Sequence, residues 1–181
     1  YGTPLQRPSP PLHGKPGMAY DGCKRKTALK FRELSMIYEL RTYTTPPGRA
    51  PELAKLSGDL ARPIRGNDYG TLEGYWLSEF GPLNQVMHLW SYEDMAERDR
   101  LRQELGKVEA WVKEYIPLIR PLIVKQELRF MAAHRDLKPP SGNGHFYEFR
   151  NYRVQPGKAN EWIGKFVEAM PAREKYSKNV C

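Results

Sequence analysis

An α+β domain with the element order β-α-β-β-α-β is predicted for residues 36–131. Strand-like stretches rich in β-branched and aromatic residues alternate with helix-like stretches whose apolar residues recur every three or four positions. Two of the strand-like stretches are joined by a short connection containing Gly, Pro and Asn, which brings them together antiparallel. The opening of the domain then returns further along the chain at a constant spacing.

The first strand is Met36–Tyr43, MIYELRTY, ended by Pro46, Pro47 and Gly48. A helix follows with Leu53, Leu56 and Leu60 on one face, and Pro63 is expected to end it. Leu72–Glu79 and Gln85–Ser91 are the hairpin strands, connected through Phe80-Gly81-Pro82-Leu83-Asn84. A second helical region begins near Ser91, whose hydroxyl is the expected cap with Asp94 as its acidic partner. Its apolar stripe is Leu101, Leu105, Val108 and Val112, and Gly106 is placed to divide it. Beyond Pro117 and Pro121, Leu122–Phe130 reads as the fourth strand. This is the split arrangement of a ferredoxin-like domain, with four antiparallel strands covered on one face by two helices. The other face must meet solvent, a partner sheet or a ligand.

Composition narrows the function classes. The two cysteines, Cys23 and Cys181, lie near opposite ends without ligand-like spacing, so no metal site, redox motif or disulfide framework is expected. No apolar run approaches the roughly 18 to 20 residues that cross a bilayer, which points to a soluble protein without a membrane span. Of the formal charge of +8, +5 falls within residues 1–35, where seven lysines and arginines face Asp21 and Glu33. The Lys24-Arg25-Lys26 cluster can attract phosphate but supplies no element that reads bases, so no nucleic-acid partner is expected.

Residues 1–35 are rich in Pro and Gly and poor in apolar periodicity, and are expected to form a disordered basic tail, read as a non-native translated leader. Met36 is the expected natural start, with Met18 as a second candidate. A mitochondrial transit peptide is the competing reading of this basic tail, although its prolines oppose an amphipathic helix. The cytoplasm is the default compartment, and the mitochondrion the alternative in a eukaryote.

After a linker over residues 132–144, Tyr38-Glu39-Leu40-Arg41-x-Tyr43 is echoed by Tyr147-Glu148-Phe149-Arg150-x-Tyr152. Pro47-Gly48-Arg49 is likewise echoed by Pro156-Gly157-Lys158, all at one offset of 109 residues. Residues 145–181 therefore read as a truncated second copy, with Trp162, Phe166 and Met170 along a helix and a further strand opening at Tyr176. A lone strand, helix and strand cannot bury their own edges. Either the second copy docks on the first, or the chain is a fragment of a longer protein; the fragment is the favoured expectation.

The YELRTY opening with Pro47-Gly48, then Gly74-Tyr75-Trp76, Glu79-x-Gly81-x-Leu83-Asn84 and His88-Leu89-Trp90-x-Tyr92, resembles the NIPSNAP family. Arg98, Arg102 and Gln126-Glu127 extend the match. The resemblance implies a dimeric α+β barrel, in which two sheets close face to face. It implies pairing either as a homodimer or with a second repeat. Eukaryotic members with two repeats are similar to mitochondrial proteins implicated in vesicle-associated roles and mitophagy signalling, whereas bacterial relatives generally have no established activity.

Candidate site residues follow from strand alternation. Glu39 and Arg41 share a face, and Glu148 and Arg150 repeat the pair. Lys125, Glu127 and Arg129 share one face of the last strand, with Leu122, Val124, Gln126 and Leu128 on the other as a floor for the helices. His88 shares its face with Val86 and Trp90, while Met87 and Leu89 fit the helix-covered side. Glu39, Arg41, His88 and Glu127 are therefore expected to converge in a polar cavity away from the helices. That set is either a mutually satisfied ion network or a ligand site. His88 is the acid–base candidate, because an imidazole titrates near neutrality. Trp76, with Tyr75 and Trp90, is placed to stack on a planar ligand or to serve as a core or interface anchor.

No nucleophile elbow, phosphate loop, dinucleotide fingerprint or metal-ligand cluster occurs, and no cofactor is implied. The leading expectation is a binding or interaction module for a small molecule or protein partner. The alternative is a cofactor-independent oxygenase- or isomerase-like enzyme working in the barrel cavity, an analogy at the level of fold alone.

Overall fold

The computed structural model describes residues 36–135, 137–140 and 144–180. The expectations for the tail of residues 1–35, for part of the linker and for Cys181 lie outside that range. The sheet is built from β1 (Ile37–Thr44), β2 (Thr71–Leu77), β3 (Gln85–Tyr92) and β4 (Lys125–Met131). Its order is β2-β3-β1-β4 with every neighbour antiparallel, the arrangement of a ferredoxin-like domain. β1 and β3 are the central strands, and Arg41 lies opposite His88 across their ladder.

The first helical region is α1 (Ala50–Leu56), a π-helical turn (Ser57–Ala61) and α2 (Arg62–Arg65). Pro63 does not end it, contrary to expectation. The π turn resets the hydrogen-bond register so that Pro63 falls in the first turn of α2, where a missing N–H removes no bond. Gly66, at φ 52°, is the actual stop. The same device recurs before Pro117, where a π turn (Trp111–Tyr115) leads into α4 (Ile116–Ile119). The two π turns meet where the Ser57 hydroxyl hydrogen-bonds Tyr115 Oη at 2.9 Å.

α3 (Met95–Leu105) starts at Asp94, whose carboxylate accepts from Glu97 N at 2.8 Å. The Glu97 carboxylate in turn accepts from Glu93 N at 2.6 Å. The cap is therefore Asp94 rather than Ser91, because β3 continues through Tyr92 and places Ser91 opposite Thr71 and Tyr38. Gly106 follows the last residue of α3, as expected. β4 begins later than predicted because Arg120–Leu122 forms a 3₁₀ turn that drops Leu122 into the core.

One face of the sheet is covered by the helices. Its apolar core joins Tyr43 and Val86 to Leu53, Ala61, Tyr115 and Ile119. Asn84 closes that end: its carbonyl accepts from Thr45 N at 2.9 Å and its side chain from Gly48 N at 3.1 Å. The opposite face carries Tyr38, Leu40 and Leu89, packed with Trp76, Met87, Ala133 and Leu137.

Downstream, Glu148 and Arg150 are paired at 2.6 Å, the separation also found between Glu39 and Arg41. Gly157 adopts φ 77° where Gly48 has φ 76°. α5 (Ala159–Arg173) then starts at the same 109-residue offset from α1. Lys158–Glu161 at 3.0 Å and Arg49–Glu52 at 2.8 Å are equivalent pairs across its first turn. Residues 145–155 belong to neither helix nor strand.

Candidate functional site

Alternation along β1 sends Glu39, Arg41 and Tyr43 beneath the helices, and the register places Trp90 opposite Glu39 and His88 opposite Arg41 on that same side. Glu39 has no exposed surface. Its carboxylate accepts from Arg41 Nε at 2.6 Å, and from Arg98 Nε and Nη2 at 3.1 Å each. Burial alone would raise the Glu39 pKa, but Arg98 and Arg41 outweigh it and hold the carboxyl below its ordinary value. Arg41 also donates to Tyr43 Oη at 3.0 Å. This is a buried, charge-assisted network whose members satisfy one another.

His88 is enclosed by rings. Tyr75 stacks on it at 5.4 Å between centroids, Tyr43 meets it edge-on at 4.9 Å, and Trp90 Nε1 donates to its Nδ1 at 2.5 Å. That bond leaves the imidazole proton on Nε2. Burial, helped by the charges of Arg41, Arg65 and Arg102, pushes its pKa well below 6.5, so it is neutral at neutral pH.

Beyond Trp90 lies Arg65, whose guanidinium carbon sits 3.4 Å from the centre of the Trp90 ring. Its Nη2 donates to Tyr69 O at 2.6 Å and to Tyr92 Oη at 2.9 Å. Arg98 and Arg102 lie one turn apart on α3, and Arg102 feels the charges of Arg41, Glu39 and Arg98. Arg98 has a second carboxylate, Asp99, at 2.7 Å.

The expected cavity away from the helices is corrected accordingly. Glu39, Arg41 and His88 come together, but on the helix-covered side. Glu127 lies opposite Thr42 on the other face, pairs with Lys125 at 3.2 Å and is half-exposed. Trp76 is also on that other face, beside Met87, and its ring lies 6.2 Å from that of Tyr147. Met87 and Leu89 occupy this face too, not the helix side. The reason is that β1 and β3 are central strands buried on both faces, so neither face of theirs is marked by apolar residues alone. The edge strand β4 keeps its contrast, and its charged residues Lys125, Glu127 and Arg129 do lie away from the helices.

Sequence reasoning missed Arg65, which follows the proline expected to end the helix. Arg98 and Arg102 were legible only as parts of a motif, although two arginines four apart on a helix with one buried residue, Leu105, are a usable signal. Among the described residues no cluster suited to a metal ion occurs, and no helix is long and apolar enough to cross a membrane.

Fold and site define the protein as a ferredoxin-like α+β domain with an ionic network held between its sheet and its helices. The NIPSNAP family model matches residues 38–137, more than half of the chain, and the chain belongs to the NIPSNAP family. Protein NipSnap homolog 3A of Homo sapiens is 30% identical over 140 residues, covering 76% of this chain and 56% of that protein. Protein NipSnap homolog 2 of Homo sapiens is 35% identical over 96 residues, 52% of this chain and 32% of that protein. The chain spans about half the length of the first of these relatives. Among solved structures, a NIPSNAP family protein from Agrobacterium tumefaciens is 33% identical with a TM-score of 0.54, covering 57% of this chain and 92% of that one. A NIPSNAP-like domain protein from Burkholderia xenovorans is 36% identical with a TM-score of 0.53, covering 59% and 90%.

Proposed function

We propose that this chain is a binding or interaction module in which the sheet face away from the helices is roofed by the linker and the start of the second repeat, rather than an enzyme acting through His88. The observation that carries the reading is the packing on that face. Leu137 and Ala133 lie against Tyr38, Leu40 and Leu89, and Tyr147, the counterpart of Tyr38 in the repeat, meets Trp76. An apolar sheet face needs such a cover, and barrel closure supplies it. Trp76 is then an interface anchor.

The enzyme alternative has less support. An imidazole enclosed by Tyr43, Tyr75 and Trp90 and kept neutral lacks both the access and the pKa of a general acid at neutral pH.

Sedimentation of the full chain at micromolar concentration tests the roof. A monomer is expected, and Trp76→Ala or Leu137→Asp should uncover the face and drive self-association. A wild-type chain that sediments as a dimer points instead to the homodimer, with a second copy as the roof. A turnover of quinones or small carbonyl compounds that His88→Ala abolishes would overturn the binding reading.

A further inference from the structure

β2 carries a glycine that its backbone does not require. Gly74 stands inside an edge strand, where a glycine packs nothing and gives up more chain freedom than any other residue. Its φ lies outside the left-handed region, so the backbone there accommodates an ordinary side chain. What such a side chain would meet is a ring. The three atoms nearest to a Cβ built at Gly74 all belong to the Trp76 indole, with Cη2 and Cζ2 in collision and Cζ3 at 3.0 Å. The indole therefore leans back along its own strand and covers the bare backbone of Gly74.

A second feature aims that ring. The ladder between β2 and β3 slips by one residue between Leu72 and Gly74, which makes Glu73 the extra residue of a bulge. Carried on from Leu72 without the slip, the register would put Trp76 opposite Val86, on the helix side, and Tyr75 opposite Met87. With the slip, Tyr75 reaches His88 and Trp76 falls beside Met87 on the face away from the helices. The Glu73 carboxylate accepts from the buried Ser91 hydroxyl at 2.6 Å, which pins the bulge to β3. Bulge and glycine together hold one large ring in one pose on that face, where the Tyr147 ring meets it at 6.2 Å and 61°. A ring ordered before contact loses less freedom when its partner arrives.

We propose that Gly74 is a positioning residue for recognition on this face. It seats the Trp76 indole as a preformed platform for the edge of an aromatic side chain, so that position 147 selects an aromatic ring over an aliphatic group. The selection at Tyr147 rests on the roof proposed above, whereas the seat itself does not.

Urea midpoints of the full chain, taken at one protein concentration, test the seat through a double-mutant cycle. Gly74→Ala should lower the midpoint of the wild type. The same change made in Trp76→Ala should leave the midpoint in place or raise it, because the colliding ring is gone and alanine is the less flexible residue in the unfolded chain. A drop of equal size in both backgrounds overturns the proposal, since it would tie Gly74 to the strand backbone and not to the ring. Sedimentation tests the selection. Gly74→Ala should self-associate as Trp76→Ala does, and Tyr147→Leu should self-associate about tenfold more tightly than Tyr147→Phe, the scale of one aromatic pair. Equal behaviour of the Phe and Leu variants also overturns the proposal. A wild-type dimer found together with the reversal of sign in the cycle supports the seat, and the failure then falls on the roof alone.

Discussion

Glu39 on β1 and Arg98 on α3, 59 residues apart in the chain, are joined by two hydrogen bonds of 3.1 Å that tie the second helical region to the centre of the sheet. α3 buries only Leu105, while Leu101 of the expected stripe stays partly exposed, so ionic contacts rather than an oily stripe position it.

Replacing Glu39 with Gln should therefore be severely destabilising. It leaves Arg41 and Arg98 facing one another with no compensating charge, and loss of one member of a buried ionic network costs about 3–5 kcal/mol. Urea denaturation measures the loss. A change below about 1 kcal/mol would show that α3 is held by other contacts.

Stability should fall as the pH drops from 7 towards 5. The folded-state pKa of His88 is depressed below 6.5, so its contribution is complete above the unfolded value and is lost as pH falls through it, when only the unfolded chain takes up the proton. The slope from this one group approaches about 1.4 kcal/mol per pH unit. Glu39, held below its ordinary 4.5, adds its own loss only at still lower pH. His88→Gln should flatten the slope between pH 7 and 5 in denaturation curves taken at each pH. An unchanged slope would assign the dependence to another group.

Leu53, with no exposed surface, is the centre of the apolar core beneath α1. Leu53→Ala should cost about 2–5 kcal/mol through lost burial and the cavity left behind. Val124→Ala, at a position 69% exposed, should stay within about 0.5 kcal/mol. Equal midpoints for the two variants in thermal unfolding would contradict the placement of the core.

Gly70 has φ 101°, and a Cβ there would sit 2.8 Å from Tyr92 Cζ. Gly70→Ala should cost at least about 1–3 kcal/mol in backbone strain and displace the Tyr92 ring that holds Arg65. Amide exchange should show lost protection spreading from β2 into Tyr92. Protection unchanged at both strands would mean that the ring adjusts without cost.

Much of the fold was legible because it is written locally. Strand alternation, leucine spacing and the Gly81-Pro82 connection fixed the order and antiparallel sense of the elements. The Pro-Gly pair ahead of each helix was legible as a strand end and as an echo, and the structure gives both glycines, Gly48 and Gly157, matching left-handed backbones before the helices that follow. The errors at Pro63 and Ser91 arose where a neighbour altered a local preference. A π turn absorbed the proline, and strand pairing on both sides carried β3 past the serine.

The sequence by itself determined a ferredoxin-like domain, the paired Glu39 and Arg41, and the echo of that pair at Glu148 and Arg150. Only the tertiary structure decided which side of the sheet the helices cover. On β1 and β3 both faces are buried, so Val86 and Leu89 are equally apolar while pointing in opposite directions. What breaks the tie is a set of partners far away in the chain. Arg98, Arg102 and Arg65 come from two helical regions to surround Glu39 and His88, and such long-range charge matching leaves no period in the sequence to be read.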